Sequence, residues 1–132
     1  MPTVMNAGHA AYASSSAATA SPAEVVRMAY GRIVTACDRM IRAAEQKPAG
    51  WVELFNAECL RAQALLFELT GMLAQDSAEP EVAEMANNLA SIYQFCEREL
   101  VTANVKKDPK RCAGVRKCID GLRTAWEQGV CR

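Results

Sequence analysis

The sequence has little of the chemistry on which most enzymes and metalloproteins depend. Its 132 residues include one histidine, His9, and only 6% of them are aromatic. A di-iron site in a helical bundle needs Glu-x-x-His pairs, which one histidine cannot supply. The sequence also has no C-x-x-C-H haem attachment, no phosphate-binding G-x-x-x-x-G-K and no Ser-His-Asp set. The spacing places the carboxylates on polar helix faces, so we expect no enzyme, no cofactor and no metal.

A surplus of charge and a long apolar run are missing as well. Fifteen Lys and Arg balance fifteen Asp and Glu, whereas nucleic-acid binding calls for a basic surplus. No apolar run approaches the roughly 18 to 20 residues of a transmembrane helix. The N-terminus lacks the basic and apolar regions of a secretory signal. The sequence therefore predicts one cytosolic domain that neither binds nucleic acid nor enters a membrane.

Cysteine, by contrast, is plentiful. The six cysteines are Cys37, Cys59, Cys96, Cys112, Cys118 and Cys131. Their irregular spacing and the missing export signal disfavour a disulfide framework. Four of them fall on apolar helical stripes, so we interpret them as reduced thiols that act as small hydrophobic side chains. A zinc site is disfavoured because the one histidine, His9, lies in the N-terminal arm, and redox sensing through Cys112, Cys118 or Cys131 stays open as an alternative.

The first twenty residues differ from the rest of the chain. Residues 1–20 contain no charged side chain and consist mostly of Ala, Ser and Thr. A stretch of this composition buries little apolar surface on its own, so we expect a flexible arm. Its aromatic residue Tyr12 is either incidental or an anchor that docks on the rest of the protein.

Residues 21–130 carry four helical patterns of about 20 residues each. Ser21 and Pro22 form an N-cap followed by a first-turn proline, with Glu24 at the third helical position. Asp108-Pro109 repeats this signal before the last helix. The apolar face of the second helix comprises Trp51, Leu54, Phe55, Ala62, Leu65, Leu66, Leu69, Met72 and Leu73. Because the connections are short and no strand pattern occurs, the expected fold is all-α, an antiparallel up-and-down four-helix bundle with a flexible N-terminal arm.

Charge is uneven along the bundle. Residues 22–105 contain seven basic and twelve acidic side chains, whereas residues 106–132 contain eight basic and three acidic ones. The basic residues near the start of the fourth helix are Lys106, Lys107, Lys110, Arg111, Arg116 and Lys117. They form either a solvated end paired with acidic neighbours or a docking patch for an acidic partner.

Several apolar residues fall outside the predicted core faces. At about 100° per residue, Leu60 and Phe67 point away from the core face of the second helix, with Ala64 between them. Phe95 lies off the core face of the third helix in the same way. Contiguous exposed apolar surface usually marks a binding site. The alternatives are isolated exposed side chains, a homodimer interface or a groove for a partner's amphipathic helix.

Three stretches also match the pattern of a known family. An Ala-Tyr pair ends at Tyr12 and is followed by T-A-S-P-A-E-V-V-R-M-A-Y over residues 19–30. A-N-N-L-A-S-I-Y-Q-F covers residues 86–95, with K-D-P at residues 107–109, and L-R-T-A-W covers residues 122–126. On these residues the chain resembles the FliS-type flagellar secretion chaperones from about Ala11 to Trp126. It departs from them at Gly31-Arg32 and Leu73-Ala74, where the family has Asp-Gly and Leu-Asp.

The resemblance implies a helical bundle without catalysis that acts in the bacterial cytosol. Members bind the C-terminal amphipathic segment of flagellin, which prevents premature polymerisation and keeps flagellin competent for type III export. In the free chaperone the N-terminal arm can occupy part of the groove. A relative that binds another export or regulatory client, such as an anti-sigma factor, and a structural homodimer stay open.

Together, the resemblance and the off-face pattern give a set of candidate partner-binding residues. Tyr12 matches the arm tyrosine, and Tyr93 is added from the family motif. The full set is Tyr12, Leu60, Ala64, Phe67, Tyr93 and Phe95. Leu89, Ile92, Leu100 and Trp126 are expected in the core, and Asn104 and Asp108 are expected to cap helix ends.

Overall fold

The computed structural model describes residues 8–12 and 21–130, which contain four long helices. Helix α1 spans Pro22–Gln46, α2 spans Trp51–Gly71, α3 spans Pro80–Lys106 and α4 spans Pro109–Val130. Each helix packs on two neighbours, so that α1 and α3 both contact α2 and α4. No strand occurs in the described ranges, and the predicted all-α bundle is confirmed. Cys131 and the arm residues 1–7 and 13–20 lie outside these ranges.

The predicted starts of α1 and α4 are also present. The Ser21 hydroxyl accepts a hydrogen bond from the Glu24 amide at 3.2 Å. The Glu24 carboxylate does not return to the cap but accepts from Arg27 at 2.8 Å. At α4, the Asp108 carboxylate accepts the Lys110 amide at 3.0 Å, which confirms Asp108 as a cap. Both caps satisfy N–H groups that lack a partner in the first helical turn.

Asn104 has a different role from the predicted helix cap. Its side-chain amide donates to the Asn56 carbonyl oxygen on α2 at 2.8 Å. Nearby, the Cys59 thiol donates to the backbone carbonyl of Leu100 at 3.3 Å. Going forward along α2 from Asn56 to Cys59, the facing residue on α3 moves backward from Asn104 to Leu100. The two helices are therefore antiparallel, and the two bonds fix their register. Asn104 therefore links two helices.

The buried face of α2 has a different centre from the one that the sequence predicts. Phe55, Ala62 and Leu66 are fully buried, whereas Leu54 is 42% exposed. Trp51 is only half-buried, with the Lys47 ammonium 5.6 Å from its ring centroid. Because α2 packs on α1 along one side and on α3 along the other, the middle of its buried face lies between them. Placing Leu54 in the core was therefore wrong.

Buried thiols make up part of this core. The buried cysteines are Cys37, Cys59, Cys96 and Cys112, and these and the half-buried Cys118 are free thiols. Burial raises the pKa of Cys59 to about 11 and the pKa values of Cys37 and Cys112 to about 12. Desolvation of the charged thiolate is the main cause. At neutral pH these side chains are therefore uncharged and pack as small apolar groups.

These raised pKa values predict that the protein loses stability in alkali. The thiols and Tyr30, whose pKa is raised to about 12, hold their protons more tightly when folded. Their stabilising contribution is complete below the unfolded thiol pKa near 9.0. It is lost as the pH rises through the folded values of about 11 to 12. Urea midpoints should stay constant between about pH 7 and 8 and fall steadily above about pH 9. In the C118S/C131S variant, which keeps the buried thiols, thiolate absorbance appearing near pH 9 in the folded protein would contradict this expectation.

Candidate partner-binding surfaces

The described part of the N-terminal arm docks on the bundle. Residues 8–12, the arm anchor, contain one short helical turn. Ala11 and Tyr12 are fully buried, and the Ala11 carbonyl accepts the Ala74 amide at 2.7 Å. The His9 ring centroid lies 4.2 Å from that of Trp126 on α4. The structure thus favours the interpretation of Tyr12 as an anchor.

Three tyrosine hydroxyls join the arm anchor to α1 and α3. Tyr93 on α3 shares hydrogen bonds with Tyr12 at 2.6 Å and with Tyr30 on α1 at 2.5 Å. Burial raises the pKa of all three phenols, so each is neutral and able to donate at physiological pH. Tyr93 is fully buried beneath the arm, whereas the sequence analysis names it as a candidate for partner binding. The hydrogen bonds explain the difference, since they satisfy the hydroxyl inside the core.

An apolar cavity lies between α3 and α4 at the edge of the arm anchor. It has a volume of about 290 Å³ and is lined by Gly8, Tyr30, Met85, Asn88, Leu89, Ile92, Leu122, Ala125 and Trp126. Phe95, half-exposed, lies one turn beyond Ile92 on the same side of α3. One turn further, Glu99 pairs with Arg111 of α4 at 3.1 Å, so this side of α3 faces α4. We call this site, with Phe95, the arm cavity.

A second apolar surface lies on the other side of α3. Leu60 and Phe67 of α2 share a helical stripe with Asn56, whose hydrogen bond to Asn104 marks the border with α3. On α3, Val101 and Val105 lie beside the same border. All four side chains are exposed, Phe67 by 76% and Val105 by 81%. Together they form the α2–α3 apolar face, and the exposed Ala64 lies next to it.

The candidate residues therefore lie in three places. Leu60, Ala64 and Phe67 belong to the outer surface of α2, as expected, while Phe95 lies on α3 one turn beyond Ile92, which lines the cavity. Tyr12 and Tyr93 meet in the interior. The two apolar surfaces flank α3, so a partner segment that crosses α3 would reach both.

Comparison with known proteins assigns the chain to a family. The family model described as "Flagellar protein FliS" matches residues 4–131. The chain belongs to the FliS family. The flagellar secretion chaperone FliS of Bacillus subtilis is 29% identical over 123 residues, covering 92% of this chain and 85% of its own length. The flagellar secretion chaperone FliS of Vibrio cholerae is 25% identical over 109 residues, covering 83% of this chain and 75% of its own length.

Membership in the FliS family confirms the resemblance stated from the sequence motifs. It makes the chain a member of a family of flagellar secretion chaperones with a role in flagellum assembly. Within residues 8–12 and 21–130, no helix is long and apolar enough to cross a membrane. The same residues contain no group of three His, Cys, Asp or Glu side chains placed to hold a metal ion.

Three of the six basic residues near the start of α4 have close partners in the described part of the chain. Arg116 contacts Asp38 of α1 at 2.6 Å, and Arg111 contacts Glu99 at 3.1 Å. The Lys107 ammonium lies 5.1 Å from the ring centroid of Phe55. For these three residues the structure favours pairing with neighbours over an open docking patch.

A groove along α1 contains a residue that the sequence analysis missed. The Glu58 side chain is only 5% exposed, and both of its oxygens accept from Arg61 at 3.1 Å. Arg39 of α1 lies 3.5 Å from the same carboxylate. The expectation that every carboxylate lies on a polar face is therefore wrong, because Arg61 of the same helix and Arg39 of α1 both pair with this one. Arg32 and Arg39 are seven residues apart on α1, a spacing that could have signalled a basic helix face.

Proposed function

We propose that this chain is an export chaperone that captures the C-terminal amphipathic segment of flagellin in the bacterial cytosol. The observation that carries the proposal is a buried arm anchor beside an apolar cavity, with a second exposed apolar face across α3. Both lie on a bundle of the FliS family. A surface of this kind suits an amphipathic helix, which would lay its apolar side chains along it.

Capture would begin at the α2–α3 apolar face, which nothing in the described chain covers. Burying a side chain such as Phe67 is worth about 1.5–3 kcal/mol. Ordering a flexible client costs conformational entropy and offsets part of that gain. Binding is therefore reversible, as export requires. While bound, the client's apolar face is unavailable for polymerisation.

The arm anchor would compete with the client for the arm cavity. Tyr12 is held beside the cavity, against Trp126, by its burial and by the hydroxyl of Tyr93, and both contacts are reversible. When a client segment enters, the anchor leaves, and Tyr93 and Phe95 become client contacts. This mechanism needs no catalytic group and no cofactor.

The proposal predicts a complex of definite size with the flagellin segment. The reduced protein, mixed with the purified C-terminal segment of flagellin from the same organism, should elute as a one-to-one complex in size-exclusion chromatography with light scattering. A segment of the same composition in scrambled order serves as the control. A mass that does not change, while the protein remains folded, would favour another flagellar export or regulatory client. A stable dimer that excludes the segment would favour a structural homodimer.

A further inference from the structure

A groove at Glu58 lies on the described surface away from the proposed client sites. Its volume is about 800 Å³, and it is lined by Met28, Gly31, Arg32, Thr35, Ala36, Arg39, Glu58, Arg61, Leu65 and Arg123. A hollow of about 320 Å³ adjoins it through the shared residues Arg39 and Glu58, and adds Arg42 and Gln46. We call the two together the arginine groove. From Met28 to Gln46 it follows α1 for roughly 27 Å, at 1.5 Å per residue.

The groove carries a positive charge although the whole chain is neutral. Five arginines line it, against the single carboxylate of Glu58, which Arg39 and Arg61 already neutralise. Arg123 pairs with Asp120 at 2.5 Å. Arg32 and Arg42 are exposed and take part in no ion pair within the described part of the chain. The net positive charge is therefore held mainly by two arginines ten residues apart on α1.

Its floor is narrow and made of small groups. A Cβ atom built at Gly31 would meet nothing within 4 Å, and the Thr35 hydroxyl turns back to the Gly31 carbonyl at 3.0 Å. Ala36 continues the floor, while Met28 and Leu65 provide apolar rims. Small side chains let a helix backbone come close, and the flanking guanidinium groups match carboxylates in geometry and charge.

We propose that the arginine groove docks an acidic amphipathic helix of a second protein partner. The helix would place small apolar side chains on Gly31, Thr35 and Ala36 and its carboxylates beside Arg32 and Arg42. A helix of about 18 residues spans the groove. Apolar rims and the buried Glu58 suit such a helix better than a nucleic acid, whose phosphates would meet that carboxylate.

This groove is separate from the proposed client surfaces. Around α2, Arg61 and Leu65 lie about 120–160° away from Phe67, at 100° per residue. The arm anchor contacts Trp126, Tyr93 and Ala74, none of which lines the arginine groove. A client on the α2–α3 apolar face and a second partner in the groove could therefore bind at the same time.

The test uses a synthetic 18-residue helical peptide with alanine and leucine on one face and glutamates flanking it. Labelled with a fluorophore, it is titrated with the full chain, with R32E/R42E and with the matched control K110E/K117E, which changes the same charge at the start of α4. We expect R32E/R42E to weaken binding about tenfold or more and K110E/K117E to change it by less than about threefold. Amide shifts of the isotope-labelled protein should concentrate at Gly31, Thr35 and Leu65.

Three results would overturn the proposal. The first is equal binding of the peptide to the full chain and R32E/R42E, or no binding at all. The second is equal binding of a peptide with glutamine in place of glutamate. The third is a single-stranded DNA oligonucleotide that displaces the peptide at lower concentration than the unlabelled peptide does. Binding of the flagellin segment should be the same for R32E/R42E and the full chain. The experiment therefore distinguishes a failure of the groove proposal, which rests on its own residues, from a failure of the proposed client function.

Discussion

Replacing Phe67 by aspartate (F67D) should lower the affinity for the flagellin C-terminal segment about a hundredfold, while the helical content stays unchanged. Phe67 is 76% exposed in the free protein, so the bundle loses almost no packing. In the complex, the variant forgoes the burial of a phenyl ring, about 1.5–3 kcal/mol, and buries a carboxylate without a partner. Each 1.4 kcal/mol corresponds to about tenfold in affinity. Titration calorimetry and circular dichroism of the same samples provide the two measurements.

The matched control is A113D, which places the same charge on an exposed position of α4 away from the α2–α3 apolar face. Its affinity should remain within about threefold of the unaltered chain, since surface substitutions away from a binding site have small effects. If F67D unfolds the protein, Phe67 belongs to the core and its assignment to the surface is wrong. If F67D folds and binds normally, the client lies elsewhere.

Deleting residues 1–18 should raise the affinity for the same segment about tenfold. The arm anchor contacts Tyr93 and Trp126 beside the arm cavity in the free protein, so under the proposed function only the fraction of molecules with the anchor released can bind the segment there. Without the arm anchor, every molecule can bind the client segment at this site. Because Tyr12 is fully buried, the deletion should also lower the melting temperature, but the four helices retain their own caps and core.

A point variant separates displacement of the arm from loss of stability. Y12A removes the buried ring and its bond to Tyr93, whereas Y12F keeps the ring and removes only the hydroxyl. Affinity should rise in the order unaltered chain, Y12F, Y12A. An affinity that is the same for all three and for the deletion would refute competition by the arm, even if the melting temperatures differ.

Most of the fold could be predicted from local sequence patterns. Ser21 and Asp108 each precede a proline, and a cap of this kind depends only on the neighbouring residues, so both helix starts are where the pattern placed them. The exposure of Leu60 and Phe67 follows from helical periodicity, because the opposite face of α2 makes the contacts with its two neighbouring helices. Local chemistry and the 3.6-residue period fix these features.

The remaining features depend on contacts between distant parts of the chain. Tyr93 is buried because two hydroxyls, from the arm and from α1, satisfy its own. Glu58 is buried because Arg39 comes from a different helix. Phe95 and Phe67 lie on opposite sides of α3, which a helical wheel of each helix alone does not reveal. Such pairings depend on the packing of the bundle, which the spacing within one helix does not specify.

The most direct test of the proposed function is calorimetric titration of the reduced, full-length chain with the C-terminal segment of flagellin from the same organism, at several temperatures. The account predicts one-to-one binding with a negative heat-capacity change, since the segment would bury apolar surface as it folds on the bundle. No detectable binding at any temperature, by a protein with full helical content, would contradict the account.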